Sequence, residues 1–145
     1  MATAGYDRVL VLQALGQIGT FKGCDKRQLD LIADAVKRRT KVASGDALCR
    51  EGDEAESWWV VLGGSGQVDV GGQTVGTVTA NQAVGELAVF DSHPRSATVT
   101  ATEDLDVLEF SGEHLVDALR REPQLAINLL STAADRLRKT NTLVG

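Results

Sequence analysis

"GELAVFDSHPRSATV", residues 85–99, sets a glycine and a carboxylate, Gly85 and Glu86, ahead of a short apolar run. An arginine, Arg95, follows nine residues after the carboxylate, and a β-branched segment comes directly behind it. Gly85 to Phe90 is too short for a full helix but long enough for one helical turn, whose leading backbone N–H groups lack intrahelical partners and suit an anion. The segment "RSATVTA" alternates, so Arg95, Ala97, Val99 and Ala101 share one face of a predicted strand while Ser96, Thr98 and Thr100 share the other. Arginine therefore falls on the apolar side. A guanidinium turned toward an interior is costly unless an anion meets it, and its forked donors match carboxylate or phosphate oxygens.

Gly85 permits close approach of a ligand. Glu86 cannot bind an anion itself, but it can accept hydrogen bonds from hydroxyls on a neighbouring part of the same molecule. A compact ligand with a phosphate at one end and a sugar hydroxyl beside it satisfies both residues, and a cyclic nucleotide is such a ligand. An internal pairing of Arg95 with Asp91 or Glu86 accounts for the same two residue types. Residue physics alone leaves a phosphate pocket and a structural ion pair both open.

Working outward, "RRTKVAS", "ALCRE", "SWWVVL", "GQVDV", "TVGTVT", "RSATVTA" and "DLDVLEF" are short β-rich pieces separated by Gly, Asp, Asn and Ser. Many short strands with glycine turns indicate a small antiparallel β-barrel or sandwich over residues 37–111. "GGSGQVD" reads as a hairpin turn, and the "WW" pair, Trp58 and Trp59, puts one indole on each face of its strand, with an indole in the core. Residues 1–36 read as N-terminal helices: Val9, Leu12, Leu15 and Ile18 have helical spacing, and Asp25 opens a run with Leu29, Ile32, Ala33 and Val36 on one side. Residues 112–145 return to a helical period, with Leu115, Val116 and Leu119 before Pro123. After it Ala126, Ile127, Leu130, Ala134 and Leu137 form one stripe, expected to pack on the barrel or to pair with a second subunit. Pro123 suits the first turn of a new helix. The fold class is mainly β with flanking α.

At 145 residues the chain has the length of one domain with one core. The net charge is -5, and the fifteen Lys and Arg are dispersed, which speaks against nucleic acid or an anionic membrane as the main partner. Cys24 and Cys49 match no CxxC pattern, so free thiols in a reduced cytosolic setting are expected. The apolar stretch Val9 to Leu15 is far shorter than the ~20 residues a membrane span requires. His93 and His114 share no metal-ligand spacing and read as surface residues, and no GxSxG elbow, P-loop or dinucleotide fingerprint occurs. The expectation is no enzyme, no metal and no cofactor.

Residues 85–99 closely resemble the phosphate-binding cassette of cyclic nucleotide-binding domains, with Gly85, Glu86, Leu87, Ala88, Pro94, Arg95, Ala97 and Thr98 standing where that cassette has them. The resemblance extends over roughly residues 15 to 140. "FKGCDKRQLDLIA" looks like the family's helical entry, and "GDALCREGDEAESWWVVLGGSGQVDV" like its glycine-punctuated strands, with Gly45, Gly52, Gly64 and Gly66 at turn positions. The end "FSGEHLVDALRREPQLAINLLSTAADRLRKTN" is similar to the paired C-terminal helices that act as hinge and lid. The resemblance implies a jelly-roll-like barrel. It also implies that Glu86 accepts from the ribose 2′-hydroxyl, that Arg95 meets the exocyclic phosphate oxygens, and that backbone N–H groups of Ala88 and of Ser96 or Ala97 complete the cradle.

Two departures matter. Asn81 stands where the family has a glycine, and asparagine is the next best residue at positive φ. All six aromatic residues precede residue 111, so no aromatic from the lid can stack on the purine. That leaves Leu143, Val144 or a residue of another subunit to cover the base, or the base partly open. Ser96 offers a hydroxyl to the phosphate or to a guanine amino group, and similarity to bacterial sensors favours cAMP over cGMP. The functional expectation is a regulatory domain that couples ligand binding to its C-terminal helices and passes the change to a partner or effector; the alternative is a ligand-free interaction or dimerisation domain of the same fold.

Overall fold

A computed structural model of the chain describes residues 5–140. Its organising element is β3 (Ser57–Gly63), the "WW" segment, in which five consecutive residues are buried. A strand buried on both faces needs a layer on each side. Trp58 and Val60 point into one apolar cluster and Trp59 and Val61 into another, as the period of two requires. The strand is the wall between two cores.

Among the described residues eight strands form two four-stranded sheets. One has the order β1 (Val36–Val42), β8 (Leu105–Ser111), β3, β6 (Ala83–Val84), and the other β2 (Ala47–Cys49), β7 (Thr98–Ala101), β4 (Ser65–Val70), β5 (Gln73–Thr79). Every pairing is antiparallel. The sheets face each other across Trp59, Val61, Val84, Leu105 and Val107 from the first and Val78, Val99 and Ala101 from the second. The barrel expected from the sequence is thus a jelly-roll of two facing sheets.

The other core lies under the helices. α1 (Arg8–Gly16) and α2 (Lys26–Ala33) are joined through a 3-10 turn (Gly19–Phe21), and α4 (Gly112–Arg121) and α5 (Pro123–Thr140) follow the sheets. They contribute Val11, Leu15, Ile32, Leu115, Leu125 and Leu129 to a cluster with Trp58 and Phe110, whose rings stack at 4.2 Å. α2 starts from a capping box in which Asp25 and Gln28 satisfy each other's backbone N–H. Pro123 opens α5 as expected.

Several sequence expectations are corrected. In the first helix the buried face is Val11, Ala14 and Leu15 with Ile18 beyond it, while Val9 is 61% exposed. Val36 begins β1 instead of ending α2. The glycines at 63–64 do not turn a hairpin: β3 and β4 lie in different sheets, and Gly64, at φ 86°, passes the chain between them. The true hairpin joins β4 to β5 through Gly71 and Gly72, both at positive φ, the pattern of a type I′ turn. Gly66 is no turn residue either. It lies inside β4, where a side chain would press on Val78 and Thr100. The stripe Ile127, Leu130, Leu137 faces outward instead of packing on the barrel, and α5 packs through Leu125 and Leu129 with Asn128 donating to Gln28 at 2.9 Å.

Candidate phosphate and sugar pocket

Arg95 sits at the end of a loop that the sequence pattern extends into β7, but the strand begins only at Thr98. Its backbone is clamped to the loop before β3: Arg95 N–H donates to Asp53 O and Gly52 N–H donates to Arg95 O, both at 2.8 Å. The side chain is 6% exposed and lies over the Trp59 ring, 4.8 Å from its centroid. Its Nη1 donates to Gly85 O at 3.3 Å and its Nη2 to Ser57 O. Burial lowers the guanidinium's pKa, against a smaller raising influence from Cys49 and Asp53; an arginine nonetheless keeps its charge. Among the described residues Arg95 forms no ion pair, so the internal pairing with Asp91 or Glu86 is not made.

A guanidinium carries five N–H donors, of which these two carbonyls take two. The ring beneath and the carbonyls beside it hold the fork in place without neutralising it. A buried guanidinium hydrogen-bonded to neutral carbonyls keeps donors suited to an anion.

Gly85, at φ 82°, precedes α3 (Glu86–Asp91), a short helix that ends at Ser92 with φ 55°. A side chain at position 85 would collide with the Arg95 guanidinium, so glycine is required there for two reasons at once. Asn81 adopts φ 70°, the conformation expected of its substitution for glycine. All seven residues singled out from the sequence, Gly85, Glu86, Leu87, Ala88, Arg95, Ser96 and Ala97, line one cavity of about 630 Å³. Glu86 is half-buried and accepts a hydrogen bond from Thr20 Oγ1 at 3.1 Å. Leu87 is 64% exposed at the rim, and Ser96 is exposed.

The sequence pattern does not reveal Trp59, Thr20, Cys49 or Arg136, which the fold brings to the same place. Trp59 carries a signal, being the indole of "WW" that points into the core between the two sheets. Thr20 and Arg136 carry none: Thr20 stands in the Gly/Thr/Phe break between the first two helices, and Arg136 among the charged residues of the last one. Arg136 is exposed on α5 and reaches the cavity beside Gly19. Leu143 and Val144, the expected covers of a base, lie outside the described residues. His93 and His114 are exposed, and both cysteines are free thiols. No helix among the described residues is long and apolar enough to cross a membrane.

The family model of the cyclic nucleotide-binding domain matches residues 39–122. The chain is 30% identical over 94 residues to the cAMP-dependent protein kinase type II regulatory subunit of Drosophila melanogaster, covering 65% of this chain and 25% of that protein. It is 29% identical over 126 residues to the cyclic AMP receptor protein of Thermus thermophilus, covering 83% and 58%. It therefore spans only part of each relative's length. Among solved structures it is similar to the N-terminal domain of a transcriptional regulator from Streptomyces coelicolor, with a TM-score of 0.77, 29% identity, and 91% and 97% of the two chains covered. The matched region contains the buried Arg95, the Glu86 carboxylate and Gly85 ahead of it, and the chain belongs to the cyclic nucleotide-binding domain family.

Proposed function

We propose that the chain is a sensor module for cAMP whose C-terminal helices α4 and α5 change their packing when ligand binds and pass that change to a partner or effector. The observation that carries this reading is Arg95: a buried guanidinium hydrogen-bonded to neutral carbonyls, lining a cavity that Glu86 also lines. In this reading Arg95 takes the phosphate oxygens, Glu86 accepts from the ribose 2′-hydroxyl, and the backbone N–H groups of Ala88 and of Ser96 or Ala97 complete the cradle. The names of the two relatives, a cAMP-dependent kinase subunit and a cyclic AMP receptor protein, favour adenine over guanine. A ligand shifts helices only by binding one arrangement better than another. The contact of α5 with the cavity through Arg136 supplies a physical basis for such a difference.

Calorimetry with cAMP and cGMP tests the assignment, with heat from cAMP at lower concentration expected. No heat from either nucleotide at millimolar concentration would favour a second reading, an interaction domain of the same fold. The outward stripe of Ile127, Leu130 and Leu137, 53–70% exposed, is the observation behind that alternative and behind a homodimer formed through α5. Sedimentation of wild type against Leu130→Glu checks the dimer.

A further inference from the structure

We propose that Thr20 is a positioning residue of the nucleotide site, orienting the Glu86 carboxylate so that it can accept the sugar hydroxyl; this deepens the cyclic-nucleotide reading and rests on it. Thr20 Oγ1 donates to Glu86 Oε2 at 3.1 Å across 66 positions of sequence. That bond leaves Oε1, and the second acceptor direction of Oε2, for another donor. Glutamate has rotatable bonds whose freedom must be lost on binding, and a carboxylate held beforehand loses less.

The donor is itself held. Thr20 lies in the 3-10 turn Gly19–Phe21, closed by Phe21 N–H to Ile18 O at 3.0 Å and Lys22 N–H to Gly19 O at 3.2 Å. Its neighbours Ile18 and Phe21 are core residues, 3% and 1% exposed, so the hydroxyl stands on a fixed base. Ile18, Gly19 and Thr20 all line the cavity, which makes the turn part of its wall. α5 rests on the same segment: a side chain at Gly19 would meet the Arg136 guanidinium, and one at Gly23 would meet Thr132 Oγ1. Sugar recognition and the seating of α5 therefore share one three-residue turn.

The test uses cAMP and 2′-deoxy-cAMP on wild type, Thr20→Val and Thr20→Ser. Valine keeps the volume and removes the donor, and serine keeps the donor. Thr20→Val is expected to bind cAMP about three- to tenfold more weakly, to bind 2′-deoxy-cAMP as wild type does, and to melt near the wild-type temperature. Thr20→Ser is expected to recover cAMP binding. An equal loss on both nucleotides means a packing role and overturns the proposal, as does unchanged or tighter binding of cAMP by Thr20→Val. Failure of wild type to bind either nucleotide is a different result, and it removes the sensor reading itself.

Discussion

Replacing Arg95 separates the charge from the geometry of its fork. The side chain has five N–H donors and spends two on Gly85 O and Ser57 O, so three are available to phosphate oxygens. Two charge-assisted bonds at about 1.5–3 kcal/mol each make Arg95→Ala lose about 3 kcal/mol or more of binding, a hundredfold or more. Arg95→Lys retains the charge, but its ammonium has three donors, lacks the planar fork and reaches less far than the guanidinium. If it satisfies both carbonyls, one donor is left for the ligand. A loss of about ten- to hundredfold is expected, between wild type and alanine. Titration calorimetry of the three proteins with cAMP at fixed salt measures this, with melting curves alongside because alanine also strands the buried Ser57 carbonyl. Binding by Arg95→Ala within threefold of wild type would refute the reasoning. So would a lysine variant as weak as alanine, since charge would then contribute nothing.

Gly85→Ala places a side chain at φ 82° and against the Arg95 guanidinium, so it should cost about 1–2 kcal/mol of stability and weaken cAMP binding as well; unaltered affinity by calorimetry would count against the shared geometry. Leu125→Ala, at a fully buried position, should cost about 2–5 kcal/mol in denaturant unfolding, whereas Leu130→Ala, 70% exposed, should stay within about 0.5 kcal/mol; the reverse order would restore the stripe read from the sequence. Burial raises the Cys24 thiol from 9.0 to about 11, which lowers its thiolate fraction at pH 8 about a hundredfold. Alkylation of a Cys49→Ser chain should be slowed at least that much relative to a peptide thiol, and a peptide-like rate would contradict the burial. Because the folded value lies above the unfolded one, the stability this thiol contributes is complete below pH 9 and lost as pH rises toward 11.

Local pattern was sufficient wherever a residue's role depends on its chain neighbours. The alternation of "SWWVVL" placed one indole on each face, Asp25 opened α2, Pro123 opened α5, and the cassette from Gly85 to Thr98 was legible because its glycine, acid and base come from one short stretch. β6, two residues long, escaped notice because only its pairing with Trp59 and Val60 makes it a strand. Burial on α5 departs from packing of the apolar stripe on the barrel for a related reason: the most apolar stripe of a helix is not always the face that its neighbours cover, and here Gly23 and Gln28 meet the face of Leu125, Asn128 and Leu129.

The sequence by itself determined the cassette, the β-rich middle and the helical ends, since these follow from spacing and conformational preference along the chain. Only the tertiary structure decided that Arg95 rests on Trp59 and two carbonyls instead of a carboxylate, and that Thr20 and Arg136 reach the same cavity. Those contacts join residues tens of positions apart, and their energies depend on distance and burial in space, which no local periodicity encodes.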